Sequence, residues 1–279
     1  VSIVDAHTHV VSRDLHRYPL APAAAADQPW HLDRPVEADA LLQRAAEAGV
    51  DAVAFVQAIS AHGYDNRYVL ERAAANPGRS IAVVAVDVTA PGAPSSLRAM
   101  AGSAPVHGVR LFTPEGPTAS LDAPAIVALA STAGALDIPV VVLALAPQLP
   151  SVRRLAATRP DVTIVLDHCG FADLGGDGGL SPADELLALA DQANVVLKVS
   201  SITLRSTAWP EALWVQLVAR FGAERIVWGT DFPHTDGPGY GALVDLARTT
   251  TAALSPADRD AVLGGTARRI WPSLASAPA

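Results

Sequence analysis

Two histidines stand one residue apart near the start of the chain, in the stretch IVDAHTHV at residues 3–10. On an extended strand, residues i and i+2 project to the same side, so His7 and His9 can present two imidazoles to one place. Imidazole titrates near neutrality, ligates metals and moves protons. Such a pair suits hydrolysis or proton transfer, given partners. His168, closing DVTIVLDH (161–168), and Asp231, closing RIVWGTD (225–231), are the candidates. Arg110, in HGVRLF (107–112), adds a guanidinium that can grip a carboxylate in a bidentate fork, or form an ion pair at a rim. Gln57 and Asp87 also end apolar runs, and a turn or capping role competes with substrate contact at each.

These residues need elements that place them together. Eight short apolar runs recur along the chain, at 2–7, 51–57, 80–87, 107–112, 138–145, 161–168, 194–200 and 225–231. Their near-continuous apolarity predicts strands covered on both faces. Helical stripes lie between them, such as Leu41, Leu42, Ala45 and Ala48, or Leu213, Trp214, Leu217, Val218 and Phe221. SPAD at 181–184 and again at 255–258 offers a Ser cap followed by Pro, and Gly49 and Gly222 mark helix ends. Eight strands alternating with helices predict an α/β fold, a (β/α)8 TIM barrel, forming one domain over residues 1–279. An open doubly wound sheet would bring a Gly-rich phosphate loop after an early strand. GGDGG (175–179) lacks that spacing and reads as a surface loop. In a barrel, catalytic groups collect at the C-terminal strand ends, where His7, His9, His168 and Asp231 fall. The long segment 11–34 would lie over that face, with Trp30 as a lid or a packing anchor.

Composition narrows the function classes. Of 279 residues, 50% are hydrophobic and 17% charged, with net charge -8. No basic face for nucleic acid is expected, and no apolar run reaches the roughly 18 residues of a membrane span. The one cysteine, Cys169, and the lack of a charged-then-apolar leader point to the cytoplasm. A small-molecule substrate is expected; a homo-oligomer is compatible with the sequence.

The stretches VDAHTH, VLDHCG and WGTDFPH resemble the strand-one, strand-six and strand-eight motifs of the amidohydrolase superfamily. VQ (56–57), GYDN (63–66), GVR (108–110), LKVSS (197–201) and LGGTARRIW (263–271) extend the resemblance along nearly the whole chain. They point to the branch containing 2-pyrone-4,6-dicarboxylate lactonase, 4-sulfomuconolactonase and sugar-acid lactonases. The resemblance implies an amidohydrolase-type barrel that opens a small carboxylated lactone. Asp231 would activate water, and His7, His9 and His168 would orient it and polarise the carbonyl. Substrate contacts would come from Arg110, Arg205, Gln57, His62, Trp30 and His234. His62 stands where the branch tends to carry an aromatic residue.

Metal-dependent members add a ligand from strand five, but that run here reads IPVVVLAL. Together with the resemblance to the pyrone-dicarboxylate lactonase, this implies that no metal is required. If one is bound, a Zn²⁺ held by His7, His9, His168 and Asp231 is expected. Lys198 is placed inside strand seven, as a candidate partner for a barrel carboxylate. Alternation along strand six would turn Asp167 away from His168 into a structural role. Cys169 lacks a basic partner and is not expected to act as a nucleophile. The alternatives are a metal-dependent decarboxylase of an aromatic or muconate-like acid and, less so, a non-catalytic barrel.

Overall fold

Eight parallel strands pair in chain order: β1 (Val4–Thr8), β2 (Ala52–Val56), β3 (Ser80–Ala85), β4 (Gly108–Leu111), β5 (Val140–Val142), β6 (Ile164–Leu166), β7 (Val195–Ser200) and β8 (Ile226–Gly229). The structure, a computed structural model, describes residues 2–22, 24, 30–112, 120–175, 180, 183–234, 237 and 239–274. Helices alternate with the strands, which makes this a TIM barrel. The circle closes just past the last strand, where the Asp231 amide donates to the His7 carbonyl at 2.8 Å and the His9 amide to the Phe232 carbonyl at 2.8 Å.

Two apolar layers follow from strand alternation. Val4, Ala6, Ala54, Val56, Ile81, Val83, Val141, Val165, Val196 and Val227 pack together within the barrel. Phe55, Val84, Leu111, Val142, Leu166, Leu197 and Trp228 face outward to the helices. Helix Pro210–Phe221 buries Leu213, Trp214, Leu217 and Phe221 of its expected stripe, each contributing roughly 1.5–3 kcal/mol, and leaves Val218 half-buried. Ser255 caps the helix Pro256–Asp260 by accepting from the Asp258 amide. The C-terminal segment packs Ala267, Trp271 and Leu274 into the interior cluster, and the Trp271 indole donates to the His107 carbonyl at 2.8 Å. The 263–271 motif therefore belongs to the barrel's packing.

The apolar runs are longer than the ladders they form. The runs 138–145 and 161–168 contribute only Val140–Val142 and Ile164–Leu166. Residues 138–139 and 161–163 precede the strands, and residues 143–145 and 167–168, past the C-terminal ends, leave the sheet at the mouth. Residues 176–179 of GGDGG, and 181 and 182 of the first SPAD, lie outside the described residues, as do 23 and 25–29 of the long first loop.

Candidate active site

Two irregularities of backbone aim the site. Val4 and Ala6 point into the barrel, so strict alternation would send His7 toward the helices. The β1–β2 register shifts between Asp5 and Thr8, and such a shift re-aims the side chains that follow. His7 turns inward and is fully buried; its ring lies 5.0 Å from that of His9 and 4.8 Å from that of His168. On β6 the expectation for Asp167 is corrected. Val165 points inward and Leu166 outward, so alternation puts Asp167 inside, at 0% exposure. It is His168 that alternation would misdirect. His168, Cys169, Gly170 and Phe171 all adopt positive φ, between 48° and 65°, and this left-handed turn swings the His168 ring back to the mouth. Asp231 also has positive φ, 60°. Left-handed non-glycine residues cost about 1–3 kcal/mol each and collect at functional sites.

The floor is a buried network of charges. Asp167 Oδ1 lies 2.7 Å from Lys198 Nζ and 3.2 Å from His7 Nδ1, while its Oδ2 accepts from Arg110 Nε at 3.3 Å. Burial raises the Asp167 pKa, but Lys198, His7 and Arg110 outweigh it and hold the carboxyl well below the usual range. Lys198 thus pairs with a barrel carboxylate, as expected. Asp231 Oδ1 lies 3.3 Å from both His7 Nε2 and His9 Nε2. Burial pushes its pKa up, yet the His9 hydrogen bond and the fields of His168, His7 and His9 prevail, so Asp231 stays ionised. Burial is the largest influence on His7 and His168 and lowers both, against nearby carboxylates. Cys169 is buried, with its thiol pushed up to about 12, which makes it inert.

Histidine tautomers decide what the cluster can do. His9 Nδ1 donates to the Val56 carbonyl at 2.8 Å, so its Nε2 keeps a lone pair in the neutral ring and donates to Asp231 Oδ1 only in the imidazolium form. His7 Nδ1 can donate to Asp167 or accept from Lys198 at 3.2 Å. His168 Nδ1 lies 2.8 Å from the Ser200 hydroxyl, which can rotate to give or take. With both Nδ1 protons directed at Asp167 and Ser200, the Nε2 lone pairs converge with Asp231. One ligand atom each from His7, His168 and Asp231 lie within 4.8 Å of one another. Acceptors behind ligating histidines are the usual support of a metal centre, so the donor set fits one divalent cation. His9, expected as a fourth ligand, stands beside this group of three.

A cavity of about 1140 Å³ opens over the floor, lined by His9, His168, Asp231 and Arg110. Trp30, His62 and His234 line it too; the Trp30 ring lies 5.9 Å from His9 and 5.6 Å from His234. His234 Nδ1 is 3.7 Å from Asp231 Oδ2. Two sequence candidates are not among the described residues that line the cavity. Arg205 ends the short helix Ser201–Arg205 on the exposed surface. Gln57 spends its amide on the Gly63 and Asp65 carbonyls, at 2.8 and 3.0 Å, and so shapes the loop that carries His62. Asp87 caps its own turn through Thr89. Sequence reasoning passed over Ser200 and Phe171. Ser200 sits inside LKVSS, and its signal was a hydroxyl at the end of β7.

The amidohydrolase family profile matches residues 4–273. The chain belongs to the amidohydrolase family. An L-fucono-1,5-lactonase from Burkholderia ambifaria is 26% identical to this amidohydrolase over 278 residues, 95% of this chain and 93% of the relative. A Pseudomonas putida structure described as a 2-pyrone-4,6-dicarboxylic acid hydrolase is similar at TM-score 0.76 and 27% identity, over 98% of both chains. An amidohydrolase from Burkholderia multivorans with bound zinc gives a TM-score of 0.74 at 25% identity, over 98% of this chain and 99% of the other. Among the described residues, no helix of this amidohydrolase is long and apolar enough to cross a membrane.

Proposed function

We propose that this amidohydrolase opens a small lactone by hydrolysis. The observation that carries the reading is an ionised Asp231 held between two histidines at the floor of a ligand-sized cavity. Lactone-acting relatives support it. Asp231 takes a proton from water as the water oxygen bonds to the ring carbonyl carbon. When His7 Nδ1 accepts from Lys198, His7 Nε2 carries the proton and donates to Asp231 Oδ1, which leaves Oδ2, on the His234 side, for the proton from water. When the Ser200 hydroxyl donates to His168 Nδ1, His168 Nε2 carries a proton and can hydrogen-bond the developing oxyanion. Collapse breaks the ring C–O bond, and the leaving oxygen recovers the proton from Asp231. Arg110 faces the cavity while anchored through Nε to Asp167, and meets a carboxylate of the substrate.

A divalent cation, zinc as the bound relative suggests, would be held by His7, His168 and Asp231 and would supply Lewis-acid polarisation of the carbonyl. A ring ester is activated relative to an amide, so hydrogen bonding from the histidines also suits the reaction. The test is a panel of lactones and aromatic acids, assayed with and without chelator alongside elemental analysis. Acid release from lactones is the expected result. Carbon dioxide release from aromatic acids, with every lactone untouched, would make the protein a decarboxylase instead.

A further inference from the structure

The cavity is larger and more apolar than the chemistry at its floor requires. At about 1140 Å³ it exceeds the roughly 300–1,000 Å³ typical of pockets for drug-sized ligands. His9, His168, Asp231 and Arg110 line its floor. The other walls include Leu20, Ile59, Leu143 and Ile202, with Leu145 and Phe171 at the rim. Leu145 and Phe171 are 38% and 41% exposed, although both are large apolar side chains beside the reaction centre. Exposed apolar surface that continues into a binding cleft marks where a ligand's own apolar part is covered.

Some polar groups among the described lining residues are already engaged. Gln148 Oε1 accepts from the Leu145 amide at 3.0 Å, Asp65 is ion-paired with Arg67, and His62 Nδ1 donates to the Pro19 carbonyl at 3.1 Å. Trp30 Nε1 and His62 Nε2 have no hydrogen-bond partner among the described residues, and Ser60, Tyr64 and His234 add scattered polar groups to the lining. A ring bearing several hydroxyls would set them mainly against apolar walls, at a cost to binding. Arg110 is the one guanidinium among the described lining residues, and its Nε already belongs to Asp167.

We infer that the substrate is an amphipathic lactone. Its ring carbonyl sits against His168 and Asp231, at most one carboxylate meets Arg110, and an aryl or alkyl substituent fills the space between Leu143, Ile202 and the Leu145–Phe171 rim. This rests on the lactone-hydrolase reading and deepens it. The reaction consumes one water and yields the ring-opened hydroxy acid, with no change of oxidation state.

The experiment compares kcat/KM on δ-lactones that share the ring and differ in substituent: none, butyl, phenyl, two carboxylates, or the hydroxyls of a sugar 1,5-lactone. One methylene in an apolar pocket is worth about 10- to 200-fold. The butyl and phenyl lactones should therefore exceed the unsubstituted ring by at least about tenfold. L145Q, at an exposed rim position, should narrow that ratio. A preference for the sugar lactone or the dicarboxylate, or a ratio that L145Q leaves unchanged, would overturn the inference. Calorimetric binding of the corresponding hydroxy acids separates the two readings. Turnover without apolar preference sinks only this inference. Tighter binding of the phenyl acid, with no lactone opened, sinks the hydrolase reading and leaves apolar recognition standing.

Discussion

At the scale of the residue, the proposed mechanism turns on Asp231. Asp231→Asn keeps shape and removes the proton acceptor, so kcat should fall by about 10²–10⁴ while substrate affinity barely changes. Because His9, His168 and His7 hold its carboxyl below the usual range, the acid limb of kcat/KM should lie below the normal carboxylate window. An acid limb near neutrality would name a histidine as the base. Arg110 is read differently with the structure in hand. An exposed arginine could be removed at little cost, but this one neutralises a buried carboxylate. The same logic applies more strongly to Lys198, at 0% exposure against Asp167. Lys198→Met should destabilise the fold by about 3–5 kcal/mol, since it strands part of a buried charge. Adding Asp167→Asn should restore some of that loss; urea unfolding of both variants, with no recovery in the double variant, would show the pair to be energetically independent.

At the scale of the element, the critical contact is β1 against β8. A Cβ on Gly229 would stand 2.7 Å from the His7 Cβ and 2.8 Å from its amide, so only glycine lets β8 lie this close to the strand that carries His7. Asp5 stitches the same seam. It accepts from the Thr230 amide at 2.8 Å, the Thr230 hydroxyl at 2.6 Å and the Tyr240 hydroxyl at 3.1 Å. Burial nevertheless raises its pKa to about 6, against those hydrogen bonds. A carboxyl raised above its unfolded value near ~3.9 is protonated in the native chain while the unfolded chain has already released the proton. Its contribution is therefore full below the unfolded value and is lost as pH rises through about 6, a change of about 3 kcal/mol. Asp5→Asn does not titrate. Between about pH 4 and pH 7, its unfolding free energy should gain about 3 kcal/mol relative to wild type. A constant difference across that range would mean Asp5 is ionised throughout.

At the scale of the whole molecule, the barrel gathers groups from β1, β4, β6, β7 and the end of β8 into one centre. A cation bound to the native centre alone stabilises the whole fold by mass action. Dialysed protein should therefore gain about 2.7 kcal/mol when Zn²⁺ reaches a hundredfold excess over its Kd, read as a rise in Tm. His168→Ala should abolish that rise. A Tm indifferent to zinc would leave polarisation to the hydrogen-bonding side chains.

Periodicity and strand-end chemistry sufficed for the barrel, because eight apolar runs capped by His, Arg and Asp have few other ways to fold. The same ordering carried the family resemblance and the grouping of His7, His9, His168 and Asp231. Other features of the site lay beyond pattern reading. Alternation assigned Asp167 to the wrong side because it assumed that β6 continues through His168, whereas the strand ends at Leu166 and a left-handed turn follows. His7 owes its inward aim to a register shift that no local propensity announces. The reach of Arg205 and Gln57 depends on where loops travel after leaving the sheet, and spacing along the chain does not encode that path. Strand identity is set by side chains a few residues apart. The aim of a side chain at a strand end is set by contacts between strands that are distant in sequence, and those exist only once the barrel has closed.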